Sequence, residues 1–479
     1  MTNVRNVDVA IIGAGSAGMR AYRTVSKYTQ SVVLIEGGEY GTTCARVGCM
    51  PSKLLIAAAE AAHAGVHSEA FGVTYGERRI DGKAVMKRVR EERDRFVGFV
   101  VDDVEHWPEE HRIRGYAKFV TDNRLEVSDG SIIDAKTIII ATGSRPNVLD
   151  IFNDFEDRLI INDDIFNWHD LPESVAVFGA GVIGLELGQA LHRLGVQVSL
   201  FSRGRSVGPI TDPSVIDKAI DIVSNELPFH INADITGRRR TDNGVEIDYV
   251  IDGETITEQF DYVLAATGRI PNLDKLGLEN TSITLDERGM PSFDLFTGQV
   301  QGSHIFIAGD ANNELPLLHE AADEGAIAGY NAAHYTEVRR FKKSSPIGVV
   351  FSEPQIMMVG QTYRELEQSD IDFEVGEIDW KSQGRSRVML VNQGLLRVYG
   401  ERNTGRFLGA EMIGPRAEHL AHLLAWSHQS NLTVSEMLER PFYHPVIEEG
   451  LRTALRNLNY ALEMGSKPLP RCLDCAPGA

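Results

Sequence analysis

An α/β chain with two nucleotide-binding units and a separate α+β domain at its C-terminal end is the fold class the sequence predicts, on three observations. The first is a short β-branched run at residues 7–12, then the glycine turn Gly13-Ala-Gly15-Ser-Ala-Gly18, a helix-compatible stretch to about Tyr28, and a second strand over 31–36. Strand, turn, helix and strand in that order form a right-handed, Rossmann-like βαβ unit. The second is that the whole unit returns as a strand over 174–178, Gly179-Ala-Gly181-Val-Ile-Gly184, a helix to about Leu194 and a strand over 196–201. One such glycine pattern is weak evidence, but two copies, each between a strand and a helix, are strong. The third is a change of character after about Lys343, where strands such as 394–399 precede helices around 417–429 and 447–458. Between the repeats a helix-rich stretch mixes acidic and basic residues over 83–95. Two matching strand-to-glycine elements, ending in Ala141-Thr142-Gly143 and Ala266-Thr267-Gly268, are expected to close the two nucleotide units.

Composition narrows the function. At 479 residues the chain exceeds one ordinary core, and roughly two to four domains are expected. A formal charge of −20 opposes nucleic acid or an anionic membrane surface, because Lys and Arg form no compensating run. The longest apolar stretches, such as 9–12 and 137–141, are strand-sized and far short of a bilayer span. Residues 1–8 are polar and lead straight into a strand rather than reading as a signal peptide, so a cytoplasmic chain is expected. The four cysteines exclude a disulfide-stapled scaffold and fall as two close pairs, Cys44 with Cys49 and Cys472 with Cys475. In a reducing compartment such pairs point to redox chemistry or to metal.

The motifs say which. In the first repeat, Gly13, Gly15 and Gly18 let the backbone turn tightly against a pyrophosphate, while the helix start offers free N–H groups and a positive dipole end. Glu36, at the end of the second strand, suits the two hydroxyls of an adenosine ribose. In the second repeat the same offset from Gly179 reaches Ser202, followed by Arg203 and Arg205. Replacing an acid by guanidinium groups favours a 2′-phosphate, so NADPH is preferred over NADH. Cys44 and Cys49 open a predicted helix, with Pro51 expected at its first position. Cys49 then sits at the helix entrance, where the dipole favours thiolate. The alternative, two incidental buried thiols, fits less well with their place just after a dinucleotide fold.

The run Gly41-Thr-Thr-Cys44-Ala-Arg-Val-Gly-Cys49-Met-Pro-Ser-Lys53 resembles the active-site signature of the pyridine nucleotide-disulfide oxidoreductases, the family of dihydrolipoamide dehydrogenase, glutathione reductase and mercuric reductase. The doubled glycine patterns, Ala308-Gly-Asp310, and His444-Pro445 with Glu449 follow in the family's order. The resemblance implies an FAD-binding domain in two parts, 1–150 and 273–343, an NAD(P)-binding domain at 151–272, and a C-terminal dimerisation domain with its tail at 344–479. It implies that Cys44 is the interchange thiol and Cys49 the thiol against the flavin. Lys53 would lie near flavin N5 and pair with Glu186, and Asp310 would contact the FAD ribityl and pyrophosphate. His444, from the other subunit of a homodimer, would be the acid/base, held by Glu449. Thr142, Gly143 and Gly268 would complete the nucleotide sites. A base with a pKa near neutrality is what disulfide exchange needs, and an orienting carboxylate is the usual companion of such a histidine.

Residues 317–325, Ser352-Glu-Pro354 and 409–414 look more like the lipoamide branch, which makes dihydrolipoamide or a related small disulfide the expected substrate and a 2-oxo acid dehydrogenase complex a possible partner. Two departures stand against it: Ser202-Arg203 in place of an acid, and Phe442-Tyr443 in place of the His-Ala that often precedes the family's histidine. The tail pair Cys472/Cys475 suggests a further variant, an NADPH-driven reductase with a thiol relay. The stretch from Lys467 to Cys475 can span roughly 25 Å when extended. The plainer reading is an incidental pair at a chain end, and two cysteines fall short of a zinc set. A flavin-based nicotinamide transhydrogenase and a binding component of a larger complex are the rivals from other classes. The first has no use for Cys44 and Cys49.

Overall fold

The computed structural model describes residues 4–251 and 253–463. The first sheet is built on Val4–Ile12, which pairs in parallel with Val32–Glu36 on one side and Ile132–Ile140 on the other. Ile305–Ile307 joins the C-terminal part of Ile132–Ile140 in parallel, so chain from beyond the second repeat completes the first unit. Val9, Ile11, Leu34 and Ile139 are sealed beneath the Ser16–Val25 helix. Buried on both faces, these strands read as nearly continuous apolar runs, the signature of a parallel sheet.

The second sheet repeats the arrangement. Phe229–Ile231, Gln197–Ser202, Ser174–Phe178, Tyr262–Ala265 and Leu159–Ile160 lie in that order, all parallel. A three-stranded antiparallel sheet, Asp234–Thr241, Gly244–Ile251 and Glu254–Phe260, is inserted before Tyr262–Ala265. The sequence reading missed it, and missed the Ala117–Thr121 and Arg124–Val127 hairpin as well. The first of the three inserted strands, Asp-Ile-Thr-Gly-Arg-Arg-Arg-Thr, has Ile235 as its one large apolar residue, so neither an apolar run nor an alternation announces it. Ser144–Pro146 and Arg269–Pro271 form a small ribbon where the two nucleotide units meet.

The last third is a five-stranded antiparallel sheet in the order Ile347–Val350, Gln355–Gly360, Phe407–Gly414, Leu395–Glu401, Phe373–Asp379. Trp380, Leu424, Leu451 and Leu458 fill the core between it and the Ala417–Gln429 and Glu448–Leu462 helices. A buried charge cluster fastens this domain to the second nucleotide unit. Asp212 caps the Pro213–Glu226 helix and is fully buried, receiving Arg397 Nη1 at 2.6 and 2.7 Å and the Tyr399 hydroxyl at 3.0 Å. Glu411, equally buried, accepts from the backbone N–H of Thr211 and Asp212. Removing the cation strands a desolvated carboxylate, so Arg397→Leu should cost about 3–5 kcal/mol. Chemical denaturation checks this, and an unchanged midpoint would show that the cluster adds no stability.

Among the described residues no helix is long and apolar enough to cross a membrane.

Candidate active site

The first glycine turn is shaped by contacts that exclude side chains. Gly13 has φ +105°, and a Cβ there would sit 2.3 Å from the Ala141 carbonyl oxygen; a Cβ on Gly18 would sit 1.8 Å from the Gly13 carbonyl oxygen. Glycine at 18 lets the helix close on the turn, and glycine at 13 lets the turn lie against the end of the Ile132–Ile140 strand. Gly15, by contrast, faces open space. The bare turn therefore presents backbone N–H groups at a helix start, an anion site by construction. Glu36 accepts from Ala14 N and Gly38 N, each at 2.7 Å. Thr142 Oγ1 is buried with no hydrogen-bond partner, and Gly143 beside it looks into open space at φ +65°. Asp310 lies across from them, accepting the Ser144 hydroxyl at 2.6 Å, while Arg269 donates to that hydroxyl at 2.7 Å. An uncovered turn, an orphaned hydroxyl and an acid at the strand ends fit a dinucleotide such as FAD, which would complete them.

The second turn copies the first. Gly179 has φ +115°, a Cβ there would collide with the Ala266 carbonyl oxygen and one on Gly184 with the Gly179 carbonyl oxygen, and Gly181 and Gly268 face open space. Here the strand ends on buried Ser202, whose hydroxyl donates to the Gly204 carbonyl at 2.6 Å. Arg203 is exposed, and Arg205 pairs with Asp217 on the surface.

Cys44 lies in the short Thr43–Val47 helix and Cys49 opens the Cys49–His63 helix. Pro51 is thus the third residue of its helix rather than the first, a harmless shift because first-turn N–H groups have no intrahelical acceptor. Thr42 enters the first helix at φ +57°, a backbone setting that favours glycine, and its hydroxyl receives Ala45 N at 3.2 Å. Both cysteines are free thiols, Cys44 half-buried and Cys49 exposed. The Cys44 S–H donates to Cys49, and together with the Lys53 ammonium it draws Cys49 down to about 6, against the opposing pull of surrounding protein and the Glu186 carboxylate. The same hydrogen bond, with burial, pushes Cys44 far up. The pair is therefore one thiol and one thiolate near neutral pH.

Lys53, one turn after Cys49, reaches Glu186 Oε2 at 2.6 Å, and Glu186 is only 5% exposed. The other Glu186 oxygen accepts Phe351 N at 3.0 Å, and the Phe351 ring lies 4.5 Å from the ammonium. Phe351, Ser144 and Arg269 escaped the sequence reading. The last two stand directly after Gly143 and Gly268, so adjacency was a usable signal; Phe351 acts through its backbone and offered none.

His444 Nδ1 lies 2.7 Å from Glu449 Oε1, and Glu449 Oε2 accepts Val446 N at 3.1 Å. Glu449 is 4% exposed, whereas His444 is half open, leaving Nε2 for proton exchange. Among the described residues of one chain, no hydrogen bond or ion pair joins His444 to Cys44 or Cys49. Cys472 and Cys475 lie outside the described residues.

Two dinucleotide cradles and a thiol–thiolate pair on one chain define a nucleotide-dependent oxidoreductase acting on sulfur. The chain belongs to the pyridine nucleotide-disulphide oxidoreductase family, whose model matches residues 7–325 and whose dimerisation domain matches 347–455. It is 29% identical over 462 residues to dihydrolipoyl dehydrogenase of Geobacillus stearothermophilus, covering 92% of this chain and 94% of that one. It is 27% identical to dihydrolipoyl dehydrogenase 3 of Pseudomonas aeruginosa, over 95% and 98% of the two chains. Among solved structures, LpdA from Mycobacterium tuberculosis matches with a TM-score of 0.79 at 23% identity, covering 94% of this chain and all of that one. The HOCl-induced flavoprotein disulfide reductase RclA from Escherichia coli matches with a TM-score of 0.77 at 22% identity, over 94% and 99%. The fold is theirs, and family membership implies FAD and a nicotinamide cofactor for an enzyme that oxidises or reduces a sulfur group.

Proposed function

We propose that this chain works as a homodimer that passes two electrons between NADPH and a small disulfide or dithiol of the dihydrolipoamide kind. The observation that carries this reading is the asymmetric thiol pair, with Cys49 held as thiolate beside Lys53 and Cys44 kept as thiol. Bound FAD supplies the exchange of an electron pair between nicotinamide and thiols. Lys53, fixed by Glu186, holds positive charge at the Cys49 end of the site. Cys44 meets the substrate: once His444 removes its proton, its thiolate attacks one sulfur of the substrate disulfide and expels the other, which His444 protonates. Cys49 thiolate then attacks Cys44 Sγ, forms the Cys44–Cys49 disulfide and releases the second substrate thiolate. Two electrons and one proton return the pair to thiol and thiolate. Run backwards, the same steps oxidise a dithiol.

Homodimer formation is supported by the dimerisation-domain match and by an apolar groove beside His444, lined by Trp426, Met437, Phe442, Leu451 and Leu455, with Tyr443 79% exposed at its edge. Large apolar surfaces of this kind mark contact sites. The NADPH preference is supported by the absence of an acid at Ser202 and by exposed Arg203. Lipoamide-type substrates are supported by the names of the relatives above.

Anaerobic titration of the flavin-loaded protein with NADPH and, separately, NADH is the test. A long-wavelength thiolate–flavin band should appear with both and at lower concentration with NADPH. No band with either would overturn the mechanism, and a preference for NADH would overturn the reading of Arg203.

A further inference from the structure

Asp310 sits in the Gly309–Asn312 turn, and that turn is held from below by a buried charge cluster for which the reaction has no direct use. Glu324 Oε2 accepts Gly309 N at 2.9 Å and Asn312 Nδ2 at 2.7 Å, so one carboxylate oxygen clasps both ends of the turn. Its other oxygen receives Lys343 Nζ at 2.8 Å, and Lys343 also reaches Glu320 Oε2 at 3.1 Å. All three are deep: Glu320 is 2% exposed, Glu324 7% and Lys343 12%.

Glu320 and Glu324 lie one turn apart on the Leu318–Ala333 helix, a like-charged pair in a desolvated place. Without a cation between them, the two carboxylates would repel each other with little solvent to screen them. Lys343 prevents this. Burial pulls its own pKa down, but the Glu324 and Glu320 carboxylates outweigh that and hold it above its ordinary value. A carboxylate is an acceptor on every lone pair, and Glu324 uses that to clasp two donors and Lys343 at once. Lys343 is itself anchored from the other side. Lys342 donates to the Gln429 carbonyl and Ser345 bonds His428, so the chain entering the C-terminal domain fixes where the ammonium stands.

We propose that Lys343 and Glu320 are positioning residues for flavin binding, acting through Glu324 to hold the Gly309–Asn312 turn so that Asp310 stays where the dinucleotide meets it. This rests on the reading that Asp310 contacts FAD. The cluster carries one positive and two negative charges, and the proposal is that this balance, rather than the packing of any one side chain, keeps the turn in place.

The test is the rate of FAD release from the full-length, flavin-loaded protein, followed by the rise in flavin fluorescence, with the thermal midpoint measured alongside. Lys343→Met should release FAD about tenfold faster, the effect of one charge-assisted bond lost on a buried acceptor. Lys343→Met combined with Glu320→Gln restores the net charge and should recover most of that loss, although it disturbs more of the packing. Release from Lys343→Met at the wild-type rate, or a double variant worse than the single one, overturns the proposal. If Lys343→Met does not fold, Glu324→Gln carries the test: it keeps the volume, loses the ionised clasp, and should also release FAD faster, and a wild-type rate there is equally decisive. A wild-type protein that binds no FAD would overturn the underlying reading of the site instead.

Discussion

Cys49→Ser should abolish electron flow between nicotinamide and disulfide, a loss of about four orders of magnitude or 5–6 kcal/mol of barrier. A serine hydroxyl stays protonated at the pH where Cys49 is a thiolate, and it can neither displace Cys44 from a mixed disulfide nor close the internal one. Cys44→Ser should be as inactive but distinguishable. It keeps the thiolate, so the long-wavelength band with bound flavin should persist there and be missing in Cys49→Ser. The pH dependence follows from the sign of the shift. Cys49 is lowered to about 6, so in the reduced protein its alkylation by iodoacetamide should fall off below about pH 6 and level out above. Cys44→Ala, which leaves no donor at that position, removes the interaction that contributes most to that lowering and should move the titration upward. Lys53→Met should also move it upward and Glu186→Gln downward, because the ammonium lowers Cys49 and the carboxylate raises it. A titration that stays at the ordinary thiol value in the unmodified protein would sink the assignment of Cys49 as the standing thiolate.

His444→Ala should lower turnover by about 10²–10⁴-fold, the usual worth of a positioned acid/base. Glu449→Gln should cost less, since an amide can still orient the Nδ1 side, although it leaves the imidazolium without its buried counter-charge. Mixed dimers decide whose thiols the histidine serves. When one subunit carries Cys44→Ser and the other His444→Ala, a histidine acting across the interface leaves one intact site and activity returns. A histidine acting within its own subunit leaves none. Silence in the mixed dimer, with each parent dimer correctly assembled, would overturn the shared-site reading.

The parts legible in the sequence are those governed by local sterics. Gly18 and Gly184 stand where a Cβ would collide with the carbonyl of Gly13 or Gly179 within the same strand–turn–helix unit, so that constraint and its signature are close together in the chain; Gly13 and Gly179 answer to the more distant Ala141 and Ala266 carbonyls, but the turn's spacing shows them all the same. Cys49 at a helix start is local in the same way. Ala117–Thr121 and Arg124–Val127 were not legible because they are too short to show a period, and Asp234–Thr241 because Ile235 is its one large apolar residue, whereas Gly244–Ile251 does alternate and its signal was there to read. Nor was the start of the thiol helix, since Pro51 is equally at home anywhere in a first turn.

What the sequence by itself determined, then, is two dinucleotide units in order, a thiol pair with unequal sulfurs, and the identity of the acid/base candidate. What only the tertiary structure decided is which charges stand together. Lys53 and Glu186 are 133 positions apart, Arg397 and Asp212 185, and the Lys343 cluster closes a turn whose acid the sequence showed but whose support it did not. The physical reason is that a buried ion pair is worth having only when both partners are desolvated together and their remaining bonds are met. That condition belongs to packing between distant segments, and no periodicity along the chain encodes it.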